Sequence, residues 1–239
     1  MHDAAKIQTD APAQPQTVSW AQEVRIFFAK TGRTRYISHL DLNRLMQRTI
    51  KRAGLPVWYT EGFHPHLYIT FALPLSLGYE SDRESMDLRL TKVMPYEEII
   101  HQMNACLPEG LRVVDAAPPV MKPAAIQKAL YHIELESDSY SPAALHQAFA
   151  KLLSGPELLV EKKSKKGLQT IDIKPMVEFV SSSIVHERLE LALILPAGIT
   201  KNLNPTLLTD ALNVSIDRQL TGIYVTRKRI LCENGLDFA

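Results

Sequence analysis

The stretch Ser38-His-Leu-Asp-Leu-Asn-Arg-Leu-Met-Gln-Arg-Thr-Ile-Lys-Arg-Ala-Gly54 is the best starting point for working out the fold. Its apolar side chains recur every three or four residues, which is the spacing of one buried helical face. Ser38 is a favoured N-cap residue, and Asp41 follows three positions later in a capping-box arrangement. Gly54 and then Pro56 prevent the helix from continuing. We therefore predict a helix that begins after Ser38 and ends before Gly54.

Strands are predicted on both sides of this helix. Val24-Arg-Ile-Phe-Phe28 precedes it, and the segments 57–59, 67–71 and 86–90 follow it. A second helix over about 95–107 and a strand over 111–114 complete this half of the chain. The order strand, helix, strands, helix, strand is the βαββαβ pattern of a ferredoxin-like module.

The second half of the sequence repeats this order of elements. Its predicted elements are a strand at 131–136, a helix from Ser141-Pro142 to Gly155, strands at 158–161 and 168–173 around a lysine-rich turn, a strand at 189–195, a helix at 205–212 and a strand at 222–231. We therefore predict an α+β protein of two tandem ferredoxin-like modules. The modules are assigned to residues 22–117 and 129–239, with a linker at 118–128 and a disordered tail at 1–21.

The composition indicates a soluble protein with a substantial core. Of the 239 residues, 46% are hydrophobic and 22% are charged, and the net charge is +1. No run approaches the roughly 20 apolar residues that span a bilayer, and the first residues lack the apolar region of a secretory signal. We therefore expect a cytoplasmic protein. Its two cysteines, Cys106 and Cys232, are too few to hold an iron–sulfur cluster.

The first helix carries an unusual concentration of positive charge. Seven basic residues and one acidic residue lie between Lys30 and Arg52. Like charges four residues apart destabilise a helix by a few tenths of a kcal/mol per pair, which a bound anion would offset. The helix at 143–153 in the second half has no such stripe. The pattern favours an anion-binding surface over an ordinary solvated face, and we assign that surface to Arg33, Arg35, Arg44, Arg48, Lys51 and Arg52.

The loop Glu61-Gly-Phe-His-Pro-His66 is the second candidate region. Gly62 permits a positive φ and Pro65 stiffens the chain. The loop residues of interest are Gly62, Phe63, His64, Pro65 and His66. His39 and His66 are candidate acid–base catalysts, and hydrogen bonding to a ligand is an alternative role for them.

Two hypotheses concern how these histidines are grouped. His39, His64 and His66 could gather a metal, but no cysteine or carboxylate stands at ligand spacing beside them, and we predict no metal site. We also hypothesise that His39 and His66 lie together at the N-terminus of the first helix. There, with Arg33 or Arg35, they would grip a single anion.

Several segments resemble a known family. These are Arg35-Tyr-Ile-Ser-His-Leu-Asp-Leu-Asn-Arg44, Arg52-Ala-Gly-Leu-Pro56, Tyr59-Thr-Glu-Gly-Phe-His-Pro-His66 and Leu75-Ser-Leu-Gly78. They are similar to the radical-SAM-linked proteins, a domain of unknown function encoded beside, or fused to, radical SAM proteins with a cobalamin-binding-type domain. The similarity covers about residues 24–90. The family's loop more often has asparagine at position 64 and proline at position 67, where this chain has His64 and Leu67.

The resemblance implies a partner more than a reaction. A radical SAM protein would be that partner, and it would carry the iron–sulfur cluster, S-adenosylmethionine and cobalamin, while this chain binds no cofactor. We therefore expect an accessory protein, not an enzyme on its own, that binds an anionic substrate, for which RNA is one candidate. One alternative is an RNA-processing enzyme resembling the CRISPR endoribonucleases, with His39 as its base. Another is a small-ligand-binding protein.

Overall fold

The computed structural model describes residues 19–164 and 167–239. The first half of this part of the chain contains β1 (Gln22–Lys30), α1 (His39–Arg52), β2 (Ile69–Phe71), β3 (Glu80–Leu90), α2 (Tyr96–Asn104) and β4 (Leu111–Ala117). The second half contains β5 (Lys128–Glu136), α3 (Pro142–Ser154), β6 (Leu159–Ser164), β7 (Gly167–Asp172), β8 (Glu178–Val185), β9 (Arg188–Pro196), α4 (Pro205–Ser215) and β10 (Gly222–Leu231). The fold is therefore mixed, with helices and one large sheet.

One eight-stranded mixed sheet runs through both halves. Its strand order is β4-β1-β3-β10-β5-β9-β8, and β2 pairs with β3 beside that path. The halves join where β10 lies parallel to β3, at the pairs Thr226↔Glu80 and Arg227↔Ser81. β10 continues antiparallel to β5 on its other side. β10 therefore lies at the centre of the sheet and joins the strands of the two halves.

Side-chain capping sets where the two N-terminal helices of the halves begin. The Ser38 hydroxyl accepts a hydrogen bond from the Asp41 backbone N–H at 3.2 Å and donates one to the Asp41 carboxylate at 2.7 Å. Ser141 accepts from the Ala144 N–H at 3.3 Å in the same way. Each serine satisfies a backbone donor that the first helical turn leaves free. The predicted starts of α1 and α3 are confirmed.

Each half buries its own apolar core against its helices. In the first half, Leu42, Met46 and Ile50 of α1 pack with alternate residues of β1 and β3. In the second half, Leu145 and Phe149 of α3 pack with β5 and β9. The alternation of buried and partly exposed residues along β5 leaves charged side chains on the other face of the sheet.

A loop between β2 and β3 crosses from the first half into the second. Leu75 and Tyr79 are buried in the core of the second half. The Tyr79 hydroxyl lies 2.7 Å from the Thr206 hydroxyl at the start of α4. The apolar loop that begins at Leu73 thus packs on its own chain and fastens the two halves together.

Beneath this loop lies a buried ion pair. Arg227 of β10 and Glu84 of β3 are each only 3% exposed. The Arg227 Nε donates to Glu84 Oε1 at 2.8 Å, and the other guanidinium nitrogens also donate to the carbonyl oxygens of Pro74 and Leu73 at 3.2 and 3.3 Å. Burial by itself lowers the pKa of Arg227, but the charge and hydrogen bonds of Glu84 raise it above its ordinary value.

Three sequence expectations need correction. Segment 57–59 is not a strand but makes two isolated bridges, Val57↔Leu90 and Tyr59↔Leu67. The strands expected at 158–161 and 168–173 form a separate two-stranded hairpin, β6–β7, outside the main sheet. In the main sheet, the place beside β9 where the second strand of this half was expected is occupied by β8. The sequence did not predict β8, because its serine-rich centre lacks apolar alternation. Of the expected tail, residues 1–18 lie outside the described part.

Candidate functional site

The basic residues of α1 lie on its solvent face. Arg44, Arg48, Lys51 and Arg52 are all exposed, while Leu42, Met46, Thr49 and Ile50 on the opposite side are buried. The acidic side chains of β3, which could have neutralised this face, are engaged elsewhere: Glu80 pairs with Arg35, Glu84 with Arg227 and Asp87 with Arg25. The predicted exposure of this face is confirmed.

Intramolecular contacts leave most of this charge available. Arg44 makes a long, exposed ion pair with Asp41 at 3.3 Å, which contributes little in water. Arg52 donates to the Cys106 carbonyl oxygen, which keeps its charge uncompensated. Lys51 Nζ lies 5.7 Å from the centre of the Tyr59 ring. In the described part of the chain, Arg48 has no ion-pair partner. The face therefore carries a net positive charge.

The basic residues before α1 have different environments. Lys30 is 1% exposed, and its Nζ donates to the carbonyl oxygens of Arg35 and Tyr79 at 3.1 and 3.4 Å. Burial lowers the pKa of Lys30 below its ordinary value. Arg35 is held by Glu80 at 3.0 Å, whereas Arg33 is exposed. Lys30, counted in the basic run of the sequence, is therefore not part of the basic surface.

The loop at 60–66 projects from the sheet as a closed turn. Thr60 N–H donates to the His66 carbonyl oxygen at 2.8 Å, and the His66 N–H donates to the Thr60 hydroxyl at 3.1 Å. The Thr60 hydroxyl also lies 2.9 Å from His66 Nδ1. Gly62 takes a φ of 120°, which a side chain would strain. His66 thus closes the base of the loop.

Phe63 stands at the tip of this loop with its whole side chain in water. Its relative exposure is 102%, the highest of the exposed large hydrophobic residues in the described part of the chain. Tyr59, at the base of the loop, is 41% exposed and faces Lys51. The loop therefore leaves the sheet beside the C-terminal end of α1. The exposed ring of Tyr59 and the cations Lys51 and Arg52 therefore share this end of the helix, and Phe63 follows Tyr59 four residues later at the loop tip.

The two candidate catalytic histidines lie toward opposite ends of α1. The His39 ring packs edge-on against Phe71, with 5.1 Å between ring centres. His66 is next to the Tyr59↔Leu67 bridge near Lys51. Since an α-helix rises 1.5 Å per residue, His39 and Lys51 are separated by about 18 Å along the axis. The described contacts do not join His39 and His66, and this geometry does not favour one small anion between them.

No metal-binding group is formed by the described residues. Within 19–164 and 167–239, no three histidine, cysteine, aspartate or glutamate side chains are placed to hold an ion. His39, His64 and His66 are therefore not gathered as metal ligands. In the same ranges no helix is long and apolar enough to cross a membrane.

Comparison with known proteins identifies a family. A family model described as an uncharacterized protein conserved in bacteria, DUF2344, matches residues 23–205. The chain belongs to this family. A search of curated proteins gave no match. The region shared with the family contains α1 and the loop at 60–66, whereas β10, which supplies Arg227, lies beyond it.

Proposed function

We propose that this chain binds single-stranded RNA through α1 and the loop at 60–66, as an accessory protein without catalysis of its own. The observation that carries the proposal is the full exposure of Phe63, at the tip of a loop whose base residue Tyr59 lies against Lys51 of the basic face. Burying a phenylalanine is favourable, so a ring held entirely in water on a closed loop is ready for a partner surface.

The combination of groups fits single-stranded nucleic acid better than a small anion. Arginine and lysine side chains along α1 neutralise phosphates, and they extend over about 12 Å from Arg44 to Arg52. Aromatic side chains such as Phe63 and Tyr59 stack on unpaired bases. A small anion needs convergent donors around one point, and the charges of α1 are instead spread along the helix axis.

A radical SAM enzyme is the recipient that we propose for the bound RNA. The support is the resemblance of residues 24–90 to radical-SAM-linked proteins, described above. In this arrangement the present chain holds the substrate, and the iron–sulfur cluster, S-adenosylmethionine and cobalamin belong to the partner. Co-purification from the native cells, with identification of bound protein and bound RNA, tests this part separately.

We also infer that the two halves are tandem ferredoxin-like modules. The first half has strand order β4-β1-β3-β2, and the second has β10-β5-β9-β8. If the main-sheet strands of each half are numbered in chain order, both halves have the spatial order fourth, first, third, second. In both, a helix follows the first strand and another follows the third. Superposition of residues 22–117 on 128–231 tests the inference, which fails if the helices lie on opposite faces of the two sheets.

The RNA proposal is tested by titrating a labelled single-stranded RNA and following fluorescence anisotropy. Arg44→Gln with Arg48→Gln should weaken binding and reduce the salt dependence by roughly one unit of slope for each lost phosphate contact. These two positions leave the contact of Arg52 with Cys106 intact. Phe63→Ala should weaken binding by about 1–3 kcal/mol and leave the salt slope unchanged, because stacking is not ionic.

The matched control is Lys151→Gln, an exposed cation on α3 of the second half. It should leave both the affinity and the salt slope as they are in the parent protein. Absence of RNA binding at low salt would overturn the proposal. So would an equal loss of affinity for Lys151→Gln and for the α1 variants, since that result indicates non-specific attraction to charge.

A further inference from the structure

A small cavity lies on the face of the sheet that is turned away from α1. Side chains alternate along β3, so Met86 and Leu88 belong to the core beneath α1 while Ser85 points to the opposite face. There Ser85 pairs across the ladder with Phe27 of β1. These two residues line a cavity of about 300 Å³, which is large enough for a small ligand.

The chain after β10 forms one wall of this cavity. It turns back along its own strand, where the Phe238 N–H donates to the Ile230 carbonyl oxygen at 3.0 Å. The buried side chains of Phe238 and Ile230 line the cavity together with Phe27. The Arg25 guanidinium lies 4.3 Å from the centre of the Phe238 ring and donates to the Ala239 backbone oxygen at 2.6 Å, which holds this wall in place. The interior of the cavity is therefore mostly apolar.

One polar group of the cavity lining has no partner. Ser85 is 2% exposed, and its hydroxyl makes no hydrogen bond with any residue in the described part of the chain. Thr209 of α4 is equally buried and shows the usual arrangement, because its hydroxyl donates to the Thr206 carbonyl oxygen at 3.1 Å. Leaving a buried hydroxyl unbonded is unfavourable. The free hydroxyl of Ser85 in a cavity therefore indicates a ligand that bonds to it.

The charges at the rim of the cavity are balanced. Arg83 pairs with Asp115 at 2.8 Å, and Arg229 pairs with Asp237 at 2.7 Å. Unlike α1, the rim therefore has no excess charge to attract an anion. The Arg83 guanidinium lies 3.9 Å from the centre of the Phe27 ring. Guanidinium groups and aromatic rings both stack on flat aromatic molecules, so the site suits an uncharged ring.

We propose that this cavity binds the base of a purine nucleoside. A purine has flat faces that pack on the phenylalanine rings, and its edge carries donors and acceptors that can bond to the Ser85 hydroxyl. A nucleoside without phosphate is uncharged, which matches the balanced rim. The site is separate from the RNA surface proposed above, because α1 packs against the other face of the sheet.

The test is isothermal titration calorimetry of the full chain with adenosine and with guanosine. At least one of them should bind, and its monophosphate should bind no more tightly. Ser85→Ala should weaken binding about 2- to 12-fold, which is the effect of one lost hydrogen bond. The same variant should unfold in urea at the parent midpoint or above it, because the parent hydroxyl has no partner to lose. A merely structural role for Ser85 predicts the reverse, lower stability with unchanged affinity.

The matched control is Thr209→Val, which removes a buried hydroxyl from α4 and should leave nucleoside affinity unchanged. Failure of both nucleosides to bind at millimolar concentration would refute the proposal, as would an unchanged affinity in Ser85→Ala. Tighter binding of the monophosphate would overturn the assignment of an uncharged ligand. Arg44→Gln with Arg48→Gln should bind the nucleoside like the parent, and a loss there would place the ligand on α1. RNA binding by α1 is decided separately, by the anisotropy titration.

Discussion

At the scale of single residues, the junction of the two halves depends on charges that water does not reach. Arg227 donates hydrogen bonds to Glu84, to two carbonyl oxygens of the covering loop and to the side chain of Tyr131. A buried guanidinium is tolerated only when its donors are satisfied and its charge is balanced. The contribution of this pair to stability is therefore most visible when one partner is removed.

Glu84→Gln should destabilise the protein by roughly 3–5 kcal/mol, because it leaves Arg227 charged and buried without a counter-charge. The measurement is the free energy of unfolding from urea denaturation. As a control, Glu178→Gln removes one partner of the pair Lys128–Glu178, whose side chains are 50 and 55% exposed. That substitution should cost less than about 1 kcal/mol. Equal costs for the two variants would contradict this assignment.

Lys30 should make stability depend on pH. Burial lowers its pKa in the folded protein, although Glu84 and Glu80 oppose the effect. Between this lowered pKa and the ordinary lysine value of about 10.4, the unfolded chain holds more protons than the folded one. Stability contributed by Lys30 therefore rises with pH in that window.

Comparison of the parent with Lys30→Met tests this dependence. The free energy of unfolding of the parent, relative to the variant, should increase from neutral pH to about pH 10. A difference that stays constant or decreases over this range would show that the folded state does not disfavour the charged lysine.

At the scale of elements, the loop from Leu73 to Tyr79 does more than connect β2 to β3. It places Leu75, 8% exposed, in the core of the second half, while Leu77 remains 63% exposed. Leu75→Ala should cost about 2–5 kcal/mol through lost burial and the cavity that remains. Leu77→Ala in the same loop is the matched control and should change stability by less than about 0.5 kcal/mol. Urea denaturation of both variants gives the comparison.

The elements also show what could be predicted from the sequence. α1 was predictable because its apolar spacing, serine cap and terminal glycine all indicate the same helix. β8 was not, because an edge strand that buries little has no reason to alternate. The exposure of the α1 arginines followed from helical geometry, whereas the burial of Lys30 depends on partners far away in sequence. Full exposure of Phe63 had no sequence signal, since phenylalanine is ordinarily buried.

At the scale of the whole molecule, the two halves share one continuous sheet. The parallel pairing of β10 with β3 and the buried junction below it bind the two cores together. We therefore expect cooperative unfolding in one transition. Both tryptophans, Trp20 and Trp58, lie in the first half, so their fluorescence reports that half alone. Its midpoint in urea should coincide with that of far-ultraviolet circular dichroism. Separate midpoints would show that the halves unfold independently.

The central position of β10 has a consequence for how the chain is synthesised. A ribosome makes β3 and β5 long before β10, which must later enter between them. Until residues 222–231 emerge, the inner edge of β5 and the start of β3 around Glu80 and Ser81 lack their partner, and such edges readily join those of other chains. The nascent chain should therefore be most in need of chaperone protection between the synthesis of β5 and the emergence of β10. A ribosome stalled before Gly222 would leave a product prone to aggregation.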